Sequence, residues 1–251
     1  MQNAQQGMIL GGDLYFDFLT DAGVPTGFDL AGNANRLIPK VESETLENPL
    51  NGRDTLGQIG DAYSRVTAAT ISFTMNRYDP NIVAAFFLGS VVAITAAEDD
   101  PFTATITAVA DKWVYLGRDA LKTCVVKDDT DTTTYDSTGD DPDYEVNLRM
   151  GLIRVLSTGT IENGDELHIS GTGEAVSGSK ITGATKPIIN VRLMLDGKNY
   201  VNGADVKLLV WQAQIRGDGE FDVLNQGGFP ALQFSGTMIT PAGKTAPFEI
   251  W

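Results

Sequence analysis

Strand-like alternation dominates the chain and limits it most. Phe102, Ala104, Ile106, Ala108 and Ala110 fall on one face while Thr103, Thr105 and Thr107 fall on the other, as a half-buried strand requires. Ile71, Phe73 and Met75 stand opposite Ser72, Thr74 and Asn76, and Ile189, Val191, Leu193 and Leu195 opposite Asn190 and Arg192. Further strands are expected at Asp13–Leu19, Trp113–Gly117, Leu121–Lys127, Tyr144–Leu156, Glu166–Gly171, Asp205–Arg216 and Ala231–Ile239. Turns such as Asn163-Gly164-Asp165, Asp196-Gly197-Lys198 and Asn202-Gly203 separate them, the pattern of an antiparallel sandwich or barrel.

One helix interrupts the pattern. Asp79 is placed to cap it, Pro80 suits its first turn, and Asn81–Leu88 runs apolar until Gly89 offers a left-handed stop. Ile82, Ala85, Phe86 and Leu88 would face the sheet. A second short helix is conceivable at Asp218–Leu224, but Gly217, Gly219 and Gly227-Gly228 oppose it. The apolar stretch Pro80–Ala97, broken at Gly89-Ser90, falls short of the roughly 20 residues a spanning helix needs and is read as core.

Two segments resist alternation. Arg36–Tyr63 reads as a long structureless loop that nevertheless carries Leu37, Ile38, Val41, Leu46, Leu50, Leu56 and Ile59, so it needs a partner to cover it. Lys127–Asp143 is crowded with Asp and Thr and reads as a solvated loop. The acidic step Glu98-Asp99-Asp100-Pro101 and the Ser/Gly/Thr-rich stretch Gly171–Thr185 bracket a segment read as an inserted β-module, 98–185. Residues 1–97 and 186–251 would then form the main domain.

With 18 Lys and Arg against 33 Asp and Glu, the net charge of −15 opposes electrostatic capture of nucleic acid or anionic lipid. The single Cys124 cannot form an internal disulfide, and the single His168 cannot supply a histidine cage for a metal. Met1–Leu10 lacks the features of a secretory signal and no glycosylation sequon occurs, so synthesis in a reducing cytosol is expected.

Chemical motifs are thin. Gly243-Lys244-Thr245 imitates the end of a phosphate loop, but Met238 stands where the earlier glycine belongs and only six residues follow. Asp128, Asp129, Asp131 and Asp136 lack the glycine and terminal Glu of a calcium loop. His168 falls on the polar face of a strand, Cys124 lies in an apolar run, and no nucleophile elbow is present. A paired-carboxylate site is unsupported, and no enzyme activity or cofactor is expected.

The order of several stretches resembles the major tail tube proteins of long-tailed bacteriophages. These are Gly12-Asp13-Leu14-Tyr15-Phe16-Asp17, Phe28-Asp29-Leu30-Ala31-Gly32-Asn33, Val41-Glu42-Ser43-Glu44-Thr45-Leu46-Glu47, and the strand-then-helix unit from Thr70-Ile71-Ser72-Phe73 to Phe86-Phe87-Leu88-Gly89. Asp143-Tyr144-Glu145-Val146-Asn147 with Gly159-Thr160-Ile161-Glu162, and Gly219-Glu220-Phe221-Asp222 with Leu232-Gln233-Phe234-Ser235-Gly236, complete the match over most of the chain.

The resemblance implies a mainly β tail-tube-type β-sandwich or barrel with one flanking α-helix and a long inter-subunit loop. Six copies would form a ring, and stacked rings a tube in the virion tail, assembled in the host bacterial cytoplasm. It implies partners as well: copies of itself, a tape measure protein inside, and tail terminator and distal tail proteins at the ends. DNA would pass through the lumen without specific binding. The inter-subunit anchors would be Leu46, Leu50, Leu56 and Ile59, with Glu42, Glu44, Glu47 and Arg53 as polar rim. A six-fold ring at −15 per copy would carry −90, part of it expected on the polar faces of the central strands, lining the channel.

Other classes consistent with the sequence are a capsid decoration or neck protein and a carbohydrate-binding β-sandwich. The last would require exposed aromatics clustered with carboxylates, whereas Trp113, Trp211 and Trp251 are scattered along the chain.

Overall fold

The structure is a computed structural model that describes residues 7–251 except 31, 225–227 and 229. The first six residues of the Met1–Leu10 reading, Ala31 of the family stretch and Gly227 of the glycine pair thus lie outside the described residues. The protein is mainly β with one helix and several antiparallel sheets. It divides into two compact units, Met1–Val92 with Ile181–Trp251, and Ala93–Lys180.

In chain order the first unit contains β1 (Leu10–Phe18), β2 (Asp29–Leu30), β3 (Gly32–Pro49), β4 (Ile59–Tyr78), α1 (Pro80–Phe86) and the start of β5 (Ser90–Ala96). The second holds β6 (Pro101–Thr107), β7 (Trp113–Tyr115), β8 (Leu121–Asp128), β9 (Tyr144–Asn147), β10 (Leu152–Val155), β11 (Glu166–Gly173) and most of β12 (Val176–Thr182). The chain then returns to the first unit with β13 (Ile189–Asn199), β14 (Asp205–Gly217), β15 (Leu232–Met238) and β16 (Phe248–Ile250). β5 pairs with β12, and the division between units falls within these two strands.

One large sheet, in the order β2-β1-β13-β14-β15-β4-β3 with β16 beside β14, builds the first unit. Its inner face carries Leu14 and Phe16, Val191 and Leu193, Val210 and Ile215, Phe234, and Ile71, Phe73 and Met75, all buried in one cluster. The sheet curls over this core: the rings of Phe16 on β1 and Phe73 on β4 lie 5.3 Å apart although three strands separate β1 from β4 in the order. Helix α1 closes it with buried Ile82, Ala85 and Phe86, and the Phe86 ring meets Phe234 edge-on at 5.7 Å.

Asp79 caps α1 as its residue type predicts, its Oδ1 accepting from the Ile82 amide at 2.9 Å. The stop differs from expectation: Leu88, at φ 49, takes the left-handed conformation. Gly89 is needed for another reason, since a Cβ there would lie 2.3 Å from the Thr182 carbonyl oxygen. Asp218–Leu224 forms no helix. The Pro80–Ala97 stretch is core only in its helical half, because Val92 and Ile94 on β5 are exposed. Among the described residues no helix is long and apolar enough to cross a membrane.

The second unit is a small sandwich of two three-stranded sheets, β7-β10-β9 and β6-β11-β8. Ile153, Val155 and Tyr144 from the first meet Val126, Leu167 and Ile169 from the second in a separate core. The expected single strand Tyr144–Leu156 is two strands, β9 and β10, joined by a turn that the Asn147 side chain caps at the Met150 amide. The Asp/Thr segment is mostly exposed, as its composition suggests, with Asp143 at its end the exception. Asp143 is buried and its carboxylate accepts from the Asp136 amide and from the amide and hydroxyl of Thr160, at 2.7–3.0 Å.

Asp17, fully buried on β1, fastens the loop that follows that strand. Its carboxylate accepts from the Thr26 amide and hydroxyl, from the Gly27 amide, and from Arg192, its cross-strand partner on β13, at 2.7 Å from Nε. Burial alone would raise its pKa, but the Thr26 amide, Arg192 and the other donors outweigh that and hold it below the ordinary carboxylate value. A carboxyl depressed in the folded state contributes stability above its unfolded pKa and loses it as pH falls through the lower folded value. Asp17→Asn should therefore destabilise the protein by roughly 2–3 kcal/mol at pH 7. Chemical unfolding between pH 2 and 7 should show the difference between wild type and variant shrinking in acid.

Candidate functional site: a free ribbon and two open sheet edges

The segment expected to be a structureless loop is instead the outer half of a long β-hairpin. β3 and β4 pair from Gly32↔Tyr78 to Pro49↔Ile59, whereas β15 covers β4 only between Thr70 and Met75. Beyond that point the two strands pair only with each other for about 25 Å at 3.3 Å per residue. Thr67 is an extra residue in β4, left over where Glu42↔Ala68 gives way to Ser43↔Val66. The tip closes through Leu50 and Gln58, with the Leu50 amide donating to the Gln58 carbonyl at 2.7 Å and Gly57 donating back to Leu50.

Both faces of this ribbon are open to solvent. Alternation places Leu46 and its cross-strand partner Tyr63 on one face, next to Glu44 and Arg65, and Val66 with Ser43 on the other. Leu46, Leu50, Leu56 and Ile59 are all exposed, with Leu56 at 76%, Val66 at 68% and Tyr63 at 65%. Glu42, Glu44, Glu47 and Arg53 are exposed among them. Arg65 Nη2 lies 3.1 Å from Glu44, Lys40 Nζ 2.7 Å from Glu42, and the Thr45 and Ser64 hydroxyls 2.8 Å apart. The Lys40 ammonium holds the Glu42 carboxyl below its ordinary pKa. Tyr63, at the very end of the segment, and Val66 beyond it do not stand out in sequence as anchors; the run of exposed apolar residues continuing past Ile59 was the available signal.

The sheet ends in two different edges. Among the described residues neither end strand has a hydrogen-bonded neighbour along its outer side, since β3 pairs only with β4 and β2 covers β1 only at Tyr15 and Phe16. The curl of the sheet brings Leu10–Leu14 of β1 to face Ala34–Pro39 of β3 across a cavity of about 220 Å³, so only the part of β3 beyond Lys40 is free. The outward face of the sheet carries carboxylates where Asp13 of β1 lies opposite Asp196 of β13, both exposed. It also presents Ser72, Gln214, Ser235 and Thr237 with Lys40 and Arg216 around a concavity of about 550 Å³. Acidity concentrates in the second unit, which has 17 acidic and 7 basic residues, net −10, against 16 and 11, net −5, in the first.

Of the chemical motifs, only His168 and the Asp cluster meet among the described residues. Lys244 packs 3.3 Å from the centre of the Trp211 ring, in a turn at Gly243. His168 Nδ1 lies 3.2 Å from Asp131 and Nε2 3.7 Å from Glu166. Burial pushes the Cys124 thiol up to about 11, which keeps it protonated at neutral pH. Asp128 spends its oxygens on the amides of Thr132 and Thr133 and the hydroxyls of Thr130 and Thr132. Among the described residues no cluster of three or more His, Cys, Asp or Glu could hold a metal ion.

The model of the family described as "Protein of unknown function UCP028589" matches residues 8–247. The chain belongs to that family. The match spans both units, the ribbon and both sheet edges. No curated protein matches the chain.

If the ribbon contributes nothing to the core of the subunit, its apolar residues can be removed cheaply. Replacing Leu46 and Tyr63 together with Ser should change the unfolding free energy by no more than about 1 kcal/mol. Phe73→Ala, in the same strand but inside the sheet, should cost about 3–5 kcal/mol. Urea denaturation of the soluble subunit checks both.

Proposed function

We propose that this protein is a structural subunit that polymerises with copies of itself, as the tail tube protein of a long-tailed bacteriophage, six to a ring with rings stacked into a tube. The observation that carries the reading is the ribbon formed by residues 41–68, exposed on both faces and studded with Leu46, Leu50, Leu56, Ile59, Tyr63 and Val66. A two-stranded hairpin is at best marginally stable in water by itself, and burial against a neighbour supplies what its own chain does not.

The sheet edges support the same reading. Among the described residues β3 beyond Lys40 has no neighbour other than β4, and pairing this edge with a different edge of the next copy is a heterologous contact, which closes into a ring or continues as a filament. Charge is consistent with it too. Residues 41–68 contain five acidic and two basic side chains, complementary to the outward sheet face with Lys40 and Arg216.

In such a tube the two units have different electrostatic duties. The sheet unit contributes −5 per copy, and the second unit twice that. A channel wall of net negative charge offers few cationic groups to displace counterions from DNA phosphates, so the genome slides. Under this reading the tape measure protein occupies the lumen during assembly, the terminator and distal tail proteins cap the ends, and the tube functions in the virion.

Negative-stain microscopy of the concentrated protein should show rings or hollow tubes. Deletion of residues 43–66 should abolish them while leaving the subunit folded by circular dichroism. Hydrogen exchange in residues 41–68 should slow at least about tenfold on assembly. A protein that stays monomeric at high concentration, or equal protection of the ribbon in free and assembled forms, would contradict the reading.

A further inference from the structure

We propose that the outward face of the β7-β10-β9 sheet in the second unit is a binding site for a neutral carbohydrate. The sheet pairings bring together side chains that are distant in sequence. Arg154 stands between Trp113 and Glu145 in one cross-strand row, and Leu152 between Tyr115 and Asn147 in the next. Ile153 and Val155 point the other way into the core, which leaves all six of these side chains on the outer face.

The two aromatic residues are unusually open for their size, Trp113 at 45% and Tyr115 at 56% exposure. Being two residues apart on one strand, they stand on the same outer face. The Arg154 guanidinium carbon lies 5.3 Å from the centre of the Trp113 ring and its Nη2 2.7 Å from Glu145 Oε2, which fixes the ring and the carboxylate relative to each other. Beside them a shallow, largely open depression is bordered by Trp113, Ser137, Glu145 and Asn147. Asn147 Oδ1 is occupied by the Met150 amide, so its NH₂ group is the part left to donate.

An aromatic pair flanked by a carboxylate acceptor, an amide donor and a hydroxyl matches the chemistry of a pyranose, whose C–H face packs on a ring while its hydroxyls both donate and accept. Charge selects among sugars. The unit carries −10 and the one cation on this face is already paired with Glu145, so sialylated, uronic or phosphorylated glycans are repelled. The site does not depend on self-assembly and stands or falls separately from it.

The test applies the full-length protein to an array of neutral hexose and N-acetylhexosamine oligosaccharides beside sialylated and phosphorylated ones, with hits titrated by calorimetry. At least one neutral glycan should bind. Trp113→Ala and, separately, Tyr115→Ala and Glu145→Gln should each weaken it at least about tenfold, while Trp211→Phe leaves it unchanged. The three site variants guard against loss of fold in any one of them, and circular dichroism identifies which remain folded. Absence of neutral glycan binding up to about 10 mM, binding confined to anionic glycans, or unchanged affinity in the folded site variants would overturn the proposal.

Discussion

A β-ribbon with water on both faces is the constraint around which the rest of this protein is organised. Backbone hydrogen bonds between two strands change little in net free energy when the alternative is bonding to water, so stability in a sheet comes from the side chains it buries. Between Gly32 and Val41 the β3–β4 pair meets that requirement through Leu37, which packs on the Phe73 core. Beyond Ala69 it does not, because β15 stops at Thr70 and nothing else in the first unit takes its place. The Thr67 bulge lies just past this point, an extra residue near the start of the free ribbon.

This same constraint explains which parts of the fold were legible in the sequence. Alternation exists where one face is dry and the other wet, so the inner strands announce themselves: Ile71, Phe73 and Met75 on β4, and Ile189, Val191 and Leu193 on β13, are each buried as their spacing requires. The ribbon has no dry face, so its side chains follow no inside–outside rule and Arg36–Tyr63 reads as loop even though it is nearly all strand. The apolar content of the segment was legible, since it is a matter of composition. Its hairpin geometry was not, because it is fixed by pairing.

Other features failed to show for a related reason. Asp17 and Arg192 are 175 positions apart, and no local pattern links them; only the β1–β13 register sets them face to face. Trp113 and Tyr115 carry a local hint in their two-residue spacing, but Glu145, Asn147 and Arg154 join them through pairings across β9 and β10. The three tryptophans are scattered in sequence, as counted, yet one of them has a second aromatic and a carboxylate on its own face. At the helix stop the residue type misled: Gly89 suits a left-handed turn, but the backbone spends that conformation on Leu88 and uses the glycine for its missing Cβ against the Thr182 carbonyl.

The uneven distribution of charge fits the proposed self-assembly. A surface that must come within contact of a copy of itself works against a like-charge penalty that grows with the square of its net charge, so a unit with −5 is much easier to bring together than one with −10. In the first unit Lys40, Arg65 and Arg192 are each engaged with a carboxylate, which lowers the local field where the ribbon and the sheet edges lie. Among the described residues both units leave most of their carboxylates without an ion-pair partner, and the difference between them is one of net charge. A surface of net −10 repels anions, which is the ground shared by the proposed self-association through the sheet unit and the proposed neutral ligand on the sandwich.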